Sequence, residues 1–353
     1  MIYPILPLYL TAVLGATPAI VGVIEGIAES VASLLKVASG YIGDRYHNKK
    51  RLAFLGYSAS VLYKFVLLFA GSWGGVLAAR VIDRTGKGIR TAPRDALVAQ
   101  SSEKGKLGGS YGLHKMLDMA GSSLGALFAF LFIAFGMKYR AAFLWSVIPG
   151  VVAVTIIPLI REEKGAAPNR RRLALRGLKL DARLKWYFAV LFLFCLGNSS
   201  NVFLLLKAQS RGFSTSEVML LYLIFSVSAS ILAIPAGRLS DRFGRSRILI
   251  PGYLIYGLVY LGFALLTSKV SLLILFVAYG AYTAFISGAE RALIAEASPA
   301  DYQGTVLGIY GMLQGFGLLL SSMIGGVLGI VSALLIAVIL RSGKGRKAAD
   351  RPD

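Results

Sequence analysis

The sequence predicts an all-α, polytopic membrane protein made of two related helix bundles, and three observations carry that prediction. Apolar residues fill 56% of the 353 positions and charged residues only 16%, which lies outside soluble compositions and inside those of multi-span membrane proteins. The apolar residues gather into runs of about 20 or more, enough for a helix to cross ~30 Å of hydrocarbon. A short charged island between two such runs occurs twice, the mark of a duplication.

The runs fall near 1–14, 18–42, 51–70, 74–98, 109–136 and 140–160, then 186–208, 214–237, 247–267, 270–296 and 305–328, with a fragment at 330–340. Helices are required because only they satisfy backbone polar groups in lipid without closing a barrel, and the runs are too long and unalternating for barrel strands. The expected organisation is an N-terminal six-helix bundle over 1–160, a basic linker over 161–185, a C-terminal bundle over 186–340 and a basic tail over 341–353.

The later island, Gly237 to Arg247, reads Gly-Arg-Leu-Ser-Asp-Arg-Phe-Gly-Arg-Ser-Arg; the earlier, Gly40 to Arg51, reads Gly-Tyr-Ile-Gly-Asp-Arg-Tyr-His-Asn-Lys-Lys-Arg. Asp44 and Arg45 therefore precede Asp241 and Arg242 by 197 positions. Ala96-Leu97-Val98-Ala99 returns as Ala292-Leu293-Ile294-Ala295, and Gly108, Gly112 and Gly121 return as Gly304, Gly308 and Gly317, all at 196. On this register the first span starts about a dozen residues short of its counterpart. Gly317 to Leu340 covers 23 residues where Gly121 to Ile160 covers 39, so the first and twelfth spans read as truncated.

The island's pattern, G-x-x-x-D-(R/K)-x-G-(R/K)-x-(R/K) after the second and eighth spans, resembles the signature loop of the major facilitator superfamily of secondary transporters. The second copy matches it throughout, and the first carries His47 and Asn48 where the family has Gly and a basic residue. Arg80, Gly86, Gly88 and Pro93 resemble a further signature in the fourth span. Gly121 and Gly125 resemble part of the Gly-rich fifth-span motif of antiporter branches, with Ala126 where that motif has proline. The resemblance implies two six-helix halves around a central site and names no solute.

Charge sets the orientation. Basic residues in the connections number 23 on the side of the two islands, the linker and the tail, against 5 on the other, so the positive-inside rule makes that side cytoplasmic; the expected location is the inner membrane. The same asymmetry accounts for a net charge of +21 without nucleic acid. The first residues lack the basic start and small-residue cleavage site of a signal peptide. Cys195 is the single cysteine and lies in an apolar run, so no intrachain disulfide forms.

Ionisable residues inside spans cost about 2.5 to 3.5 kcal/mol each and face partners or water. Glu25, Glu29 and Lys36 share one stripe of the second span at about 100° per residue, and Arg80, Asp83, Arg84, Lys87 and Arg94 share an arc of the fourth. Such stripes suit a water-lined cavity in which carboxylates exchange protons and guanidinium groups hold an anion; internal pairing, such as Glu29 with Arg84, would instead neutralise both between packed helices. His114 and Asp118 stand one turn apart in the fifth span beside Lys115, where a carboxylate would raise the histidine's proton affinity or form a structural pair. Asn198, Ser199, Ser200 and Asn201, and the face Tyr279, Tyr282, Thr283 and Ser287, suit hydrogen bonding to a solute or helix packing. Asp44, Arg45, Arg94, Asp95, Asp241, Arg242, Glu290 and Arg291 lie at the island end of the spans, where a gate would be.

Enzyme chemistry has no support in the sequence. Gly86-Lys87-Gly88 misses the spacing of a phosphate-binding loop, two histidines and one cysteine make no metal pattern, and nucleophile-elbow and zinc-protease motifs are absent. No cofactor or metal is expected. The expectation is a monomeric, proton-coupled transporter that moves a small anionic or zwitterionic solute across the lipid bilayer by alternating access. A non-transporting receptor or scaffold, or a passive channel, stands as the alternative.

Overall fold

The computed structural model describes residues 2, 5, 6, 9–46, 48–159, 178, 180–198 and 201–324. Most of the basic linker, the 330–340 fragment, the basic tail, His47, Ser199 and Ser200 lie outside them. In chain order the helices are a π-type helix α1 (Tyr9–Val13), then α2 (Pro18–Tyr46), α3 (Lys49–Phe69), α4 (Trp73–Gln100), α5 (Leu107–Ala134) and α6 (Tyr139–Ile156). The second half follows with α7 (Ala182–Gly197), α8 (Asn201–Ser210), α9 (Thr215–Phe243), α10 (Arg245–Leu265), α11 (Lys269–Ala297) and α12 (Gln303–Ile324). Every regular element among the described residues is helical.

Seven of the described helices are long and apolar enough to cross a membrane. With 29 and 28 residues, α2 and α4 are also long enough, about 43 Å at 1.5 Å per residue, and they carry the ionisable stripes. The duplication reaches the helix starts: Ser72 accepts from Gly75 N–H at 3.2 Å to cap α4, and Ser268, 196 positions on, accepts from Ser271 N–H at 3.1 Å to cap α11. Each hydroxyl satisfies a backbone donor that the first turn leaves without a helical partner.

The seventh span differs from its sequence reading. One helix was expected over 186–208, but α7 stops at Gly197, Asn198 is extended at φ −90° and ψ 97°, and α8 starts at Asn201. The run of small polar residues explains the stop, because Asn and Ser side chains compete for backbone hydrogen bonds and disfavour helix interiors. Pro93 ends nothing: α4 runs through it to Gln100.

Each half has its own apolar core. Tyr9, Leu10, Ile24, Tyr63, Leu67, Val76 and Phe143 pack together in the first, and Phe188, Leu191, Phe194, Phe225, Tyr256, Leu272, Ile294 and Tyr310 in the second. The halves meet where α5 packs along α9 and α2 along α12. These two seams are equivalent under the duplication, and glycine lets both close: a Cβ on Gly40 would run into the carbonyl of Gly304, and a Cβ on Gly237 into that of Gly108. Small residues at such crossings bring helix backbones into contact.

Candidate functional site

Three layers of charge lie where the halves face each other. The deepest joins α2 to α4. Both helices begin at the same end of the molecule, and Glu29 and Arg84 are each the twelfth residue of their helix, so they lie at one depth near the middle of the bilayer. Arg84 Nε is 3.3 Å and Lys87 Nζ 3.2 Å from the Glu29 carboxylate, and Lys36 Nζ stands 3.9 Å from it. One turn toward the start of the helices, Arg80 pairs with Glu25 and lies 3.4 Å from Asp83, while Arg84 approaches Glu25 at 3.6 Å. Three carboxylates thus meet four cations, leaving one positive charge in excess.

This layer is not sealed. The Glu25 side chain is 39% exposed and that of Lys87 35%, at a depth where contact with hydrocarbon would be costly. Lys36, itself buried, links the network to the second half by donating to the carbonyl of Gly311 on α12 at 3.0 Å.

The second layer lies toward the end that carries the two islands. Asp95 on α4 lies 3.0 Å from Arg94 and 3.2 Å from Arg291 on α11. Asp95 and Arg291 are 196 positions apart and hence equivalent in the duplication. Equivalent residues touch only near the pseudo-twofold axis, so this ion pair sits on it. Tyr111 donates to the Asp95 carbonyl at 2.8 Å, and Ala99, Tyr111, Ala292 and Ala295 pack beside the pair.

The third layer is the islands themselves. Asp241 accepts from Gly108 N–H at 2.8 Å and Gly109 N–H at 2.7 Å, the first turn of α5. Asp44 accepts from Gly304 N–H at 3.1 Å, Thr305 N–H at 2.6 Å and the Thr305 hydroxyl at 2.8 Å, at the start of α12. Each carboxylate therefore caps a helix of the opposite half, where orphan amides and the positive end of the helix dipole favour an anion. Arg245 pairs with Asp241 and lies 2.5 Å from Glu296, and Lys49 lies 3.4 Å from Asp44. Gly244 sits between α9 and α10 at φ 93°, a conformation that suits glycine alone and explains the glycine of the island pattern.

Several residues lie elsewhere than their sequence pattern suggested. His114 and Asp118 form no ion pair with each other, and Asp118 is exposed; Arg94, an alternative positive group, is already held by Asp95. Tyr282 is buried in an aromatic cluster with Phe194, Tyr256 and Tyr279, its ring stacked on Tyr279 at 5.4 Å, so that face of the tenth span packs the second half. Thr283 bonds back to the Tyr279 carbonyl at 3.0 Å. Asn198 ends α7, and the side chain of Asn201 lies outside the described residues. Glu290 reaches within its own half, accepting from Tyr253, from Tyr310 at 2.6 Å and from Gln314 at 3.4 Å. Arg45 donates to Tyr41 at 2.9 Å on its own helix, and Arg242 lies over Phe243, so neither joins the halves. The sequence reading assigns no role to Arg245, Lys49, Thr305 or Glu296; Arg245 and Lys49 lie within the two islands, whereas only tertiary structure shows that Thr305 meets Asp44.

A transmembrane bundle with duplicated halves and a charged seam between them is the architecture of a membrane transporter. The sequence pattern of the Major Facilitator Superfamily matches residues 1–322, and the chain belongs to that family. It is 34% identical to an uncharacterised MFS-type transporter of Methanocaldococcus jannaschii, over 94% of this chain and 85% of that one. Among solved structures, the human organic anion transporter MFSD10 (TETRAN) superposes with a TM-score of 0.76 at 15% identity, covering 90% of this chain and 82% of that one. A bacterial homologue of the iron transporter ferroportin, in its outward-facing state, gives 0.74 at 16% identity over 97% and 94%. The fold is thus that of a multi-pass transporter, a family of carriers rather than enzymes.

Proposed function

We propose that this transporter is proton-coupled and moves a small anionic or zwitterionic solute across the inner membrane by alternating access, with Glu29 as the coupling carboxylate. The observation that carries the proposal is the mid-membrane network in which Glu29 is shared by Arg84, Lys87 and Lys36 while positive charge stays in excess. A solute anion entering between the halves competes with Glu29 for Arg84 and Lys87. Deprived of those cations in a poorly solvated place, Glu29 takes up a proton, and solute and proton movement become linked. Glu25, Arg80 and Asp83 hold the arginines in position, and the partly exposed Lys87 meets the solute first. His114, Lys115 and Asp118 line the same seam nearer the islands.

The island end is the cytoplasmic one, in keeping with its basic connections. In that orientation the Asp95–Arg291 pair and the two capping aspartates hold the cytoplasmic side shut, and the solute site communicates with the outside. Rocking of the halves about α5/α9 and α2/α12 would exchange the two openings.

The test is transport in proteoliposomes with an imposed pH gradient, using a panel of small anions, zwitterions and cations. The expected result is accumulation of an anionic or zwitterionic solute that collapses with an uncoupler. Glu29→Gln should fold, still exchange that solute and lose gradient-driven accumulation. Full accumulation by Glu29→Gln removes Glu29 from coupling. Restoration of expression and transport by combining it with Arg84→Gln would make the pair structural.

A further inference from the structure

Glu290 is a buried carboxylate that the Glu29 coupling step leaves unused. It stands seven residues, about 10 Å, before the end of α11 and is only 1% exposed. Tyr253 of α10 and Tyr310 of α12 donate to it, Tyr310 at 2.6 Å, and the Gln314 amide of α12 reaches both Glu290 at 3.4 Å and the Tyr310 hydroxyl at 2.7 Å. These partners are all neutral. Glu290 forms no ion pair among the described residues, and Arg291, the cation next to it in the chain, is turned to Asp95 at 3.2 Å across the seam. Tyr187 and Cys195 of α7 and Tyr282 of α11 are the other titratable groups near it among the described residues.

This surrounding suits a carboxyl in two states. The ionised form has its donors in Tyr253, Tyr310 and Gln314. The protonated form needs an acceptor for its own O–H, and the Tyr187 hydroxyl faces Glu290, buried and without a hydrogen-bond partner among the described residues. A purely structural acceptor would not have to be acidic. The carbonyl of a glutamine accepts from the same tyrosines without burying a charge, which is costly where no cation offsets it. What the carboxyl adds is the capacity to carry a proton.

The same stretch of α12 joins Glu290 to the seam. Gly311 follows Tyr310 and offers its carbonyl to Lys36 of the Glu29 network at 3.0 Å, and a Cβ on Gly308, Gly311 or Gly315 would run into α2. One face of this stretch therefore holds α2, and the next holds the donors of Glu290. Gln314, between Gly311 and Gly315, is partly exposed.

We propose that Glu290 is a second proton-binding site of the transporter, in the half opposite Glu29, an inference that rests on the reading of the protein as proton-coupled. When α2 parts from α12, the Glu290 carboxylate takes one proton from the water admitted beside Gln314, and the new carboxyl donates to Tyr187. A carboxylate without a counter-ion in a poorly solvated place favours that uptake. Reseating of α2 seals the proton in, and opening returns it.

The experiment is infrared difference spectroscopy of the full chain in liposomes across a pH titration, with no solute added. The variants are Glu290→Gln, Glu29→Gln and Tyr310→Phe. The expected result is a component of the protonated-carboxyl band that grows as pH falls while the protein stays folded, present in the parent and in Glu29→Gln and absent from Glu290→Gln. Tyr310→Phe removes a donor to the ionised form, so this component should persist about one pH unit higher; that arm decides the matter should Glu290→Gln not fold. No component lost in Glu290→Gln, or none displaced in Tyr310→Phe, leaves Glu290 a fixed hydrogen-bond acceptor and overturns the proposal. Loss of the component in Glu29→Gln instead assigns it to Glu29 and overturns it too. Because the spectra need no solute, they are read separately from the accumulation assay: a Glu29→Gln protein with full accumulation fails the Glu29 reading and leaves the Glu290 band in place.

Discussion

Asp241→Asn offers the sharpest test of the proposal that the island contacts hold that end closed. Asp241 spans the halves through two amide donors, Gly108 N–H at 2.8 Å and Gly109 N–H at 2.7 Å, and asparagine keeps one accepting oxygen for them. The change removes one charge-assisted hydrogen bond, worth about 1.5 to 3 kcal/mol, along with the attraction of a full charge to the start of α5. Arg245 is not stranded, because Glu296 still holds it at 2.5 Å. A net loss of about 2 kcal/mol follows, which shifts the closed-to-open ratio by about thirtyfold. The equivalent change at Asp44 would leave buried Lys49 without its carboxylate and confuse opening with misfolding. The assay is pulsed electron resonance in liposomes, with spin labels at Lys104 and Ala300, one in each half and both exposed; a Cys195→Ala background removes the only native thiol. A second, longer distance population should appear in Asp241→Asn. Unchanged distances together with unchanged transport would refute the reasoning.

The ion pair on the axis predicts charge exchange: Asp95→Arg alone gathers three arginines and should abolish expression or transport, whereas Asp95→Arg with Arg291→Asp should recover a measurable fraction of both, and failure of the double variant where each single is tolerated would deny the pair its role. Glu290→Leu leaves the Tyr253 and Tyr310 hydroxyls without their acceptor, at about 1 to 3 kcal/mol each, so its melting temperature in detergent should fall by several degrees; a variant that keeps its stability and loses transport would move Glu290 into the solute path.

The sequence made the bundle legible for a simple reason: lipid demands long apolar helices, and a repeat offset of 196 to 197 positions survives in its charges and glycines. The stripes on α2 and α4 were readable as well, because helical geometry fixes which side chains share a face, and equal depth from equal starting ends brings Glu29 to Arg84. The partners of those faces were harder to foresee. His114 and Asp118 satisfy the spacing of a pair, yet Asp118 is exposed and no ion pair forms between them. The polar face of α11 looks like a solute lining by periodicity and is packed by neighbouring rings instead, since a tyrosine serves equally as apolar bulk or as a donor. Glu290 and Arg291 are adjacent in sequence and turn about 100° apart, so one joins its own half and the other crosses to the opposite one.

The Asp95–Arg291 pair marks how far the two halves have diverged. Around a true twofold axis the residue at the centre faces its own copy, so two identical subunits would have set aspartate against aspartate or arginine against arginine, a repulsive contact. Opposite charges can occupy that point only when the two copies carry different sequences. The two halves of this chain meet that condition, and the Asp95–Arg291 contact is one that no symmetric dimer of either half could form.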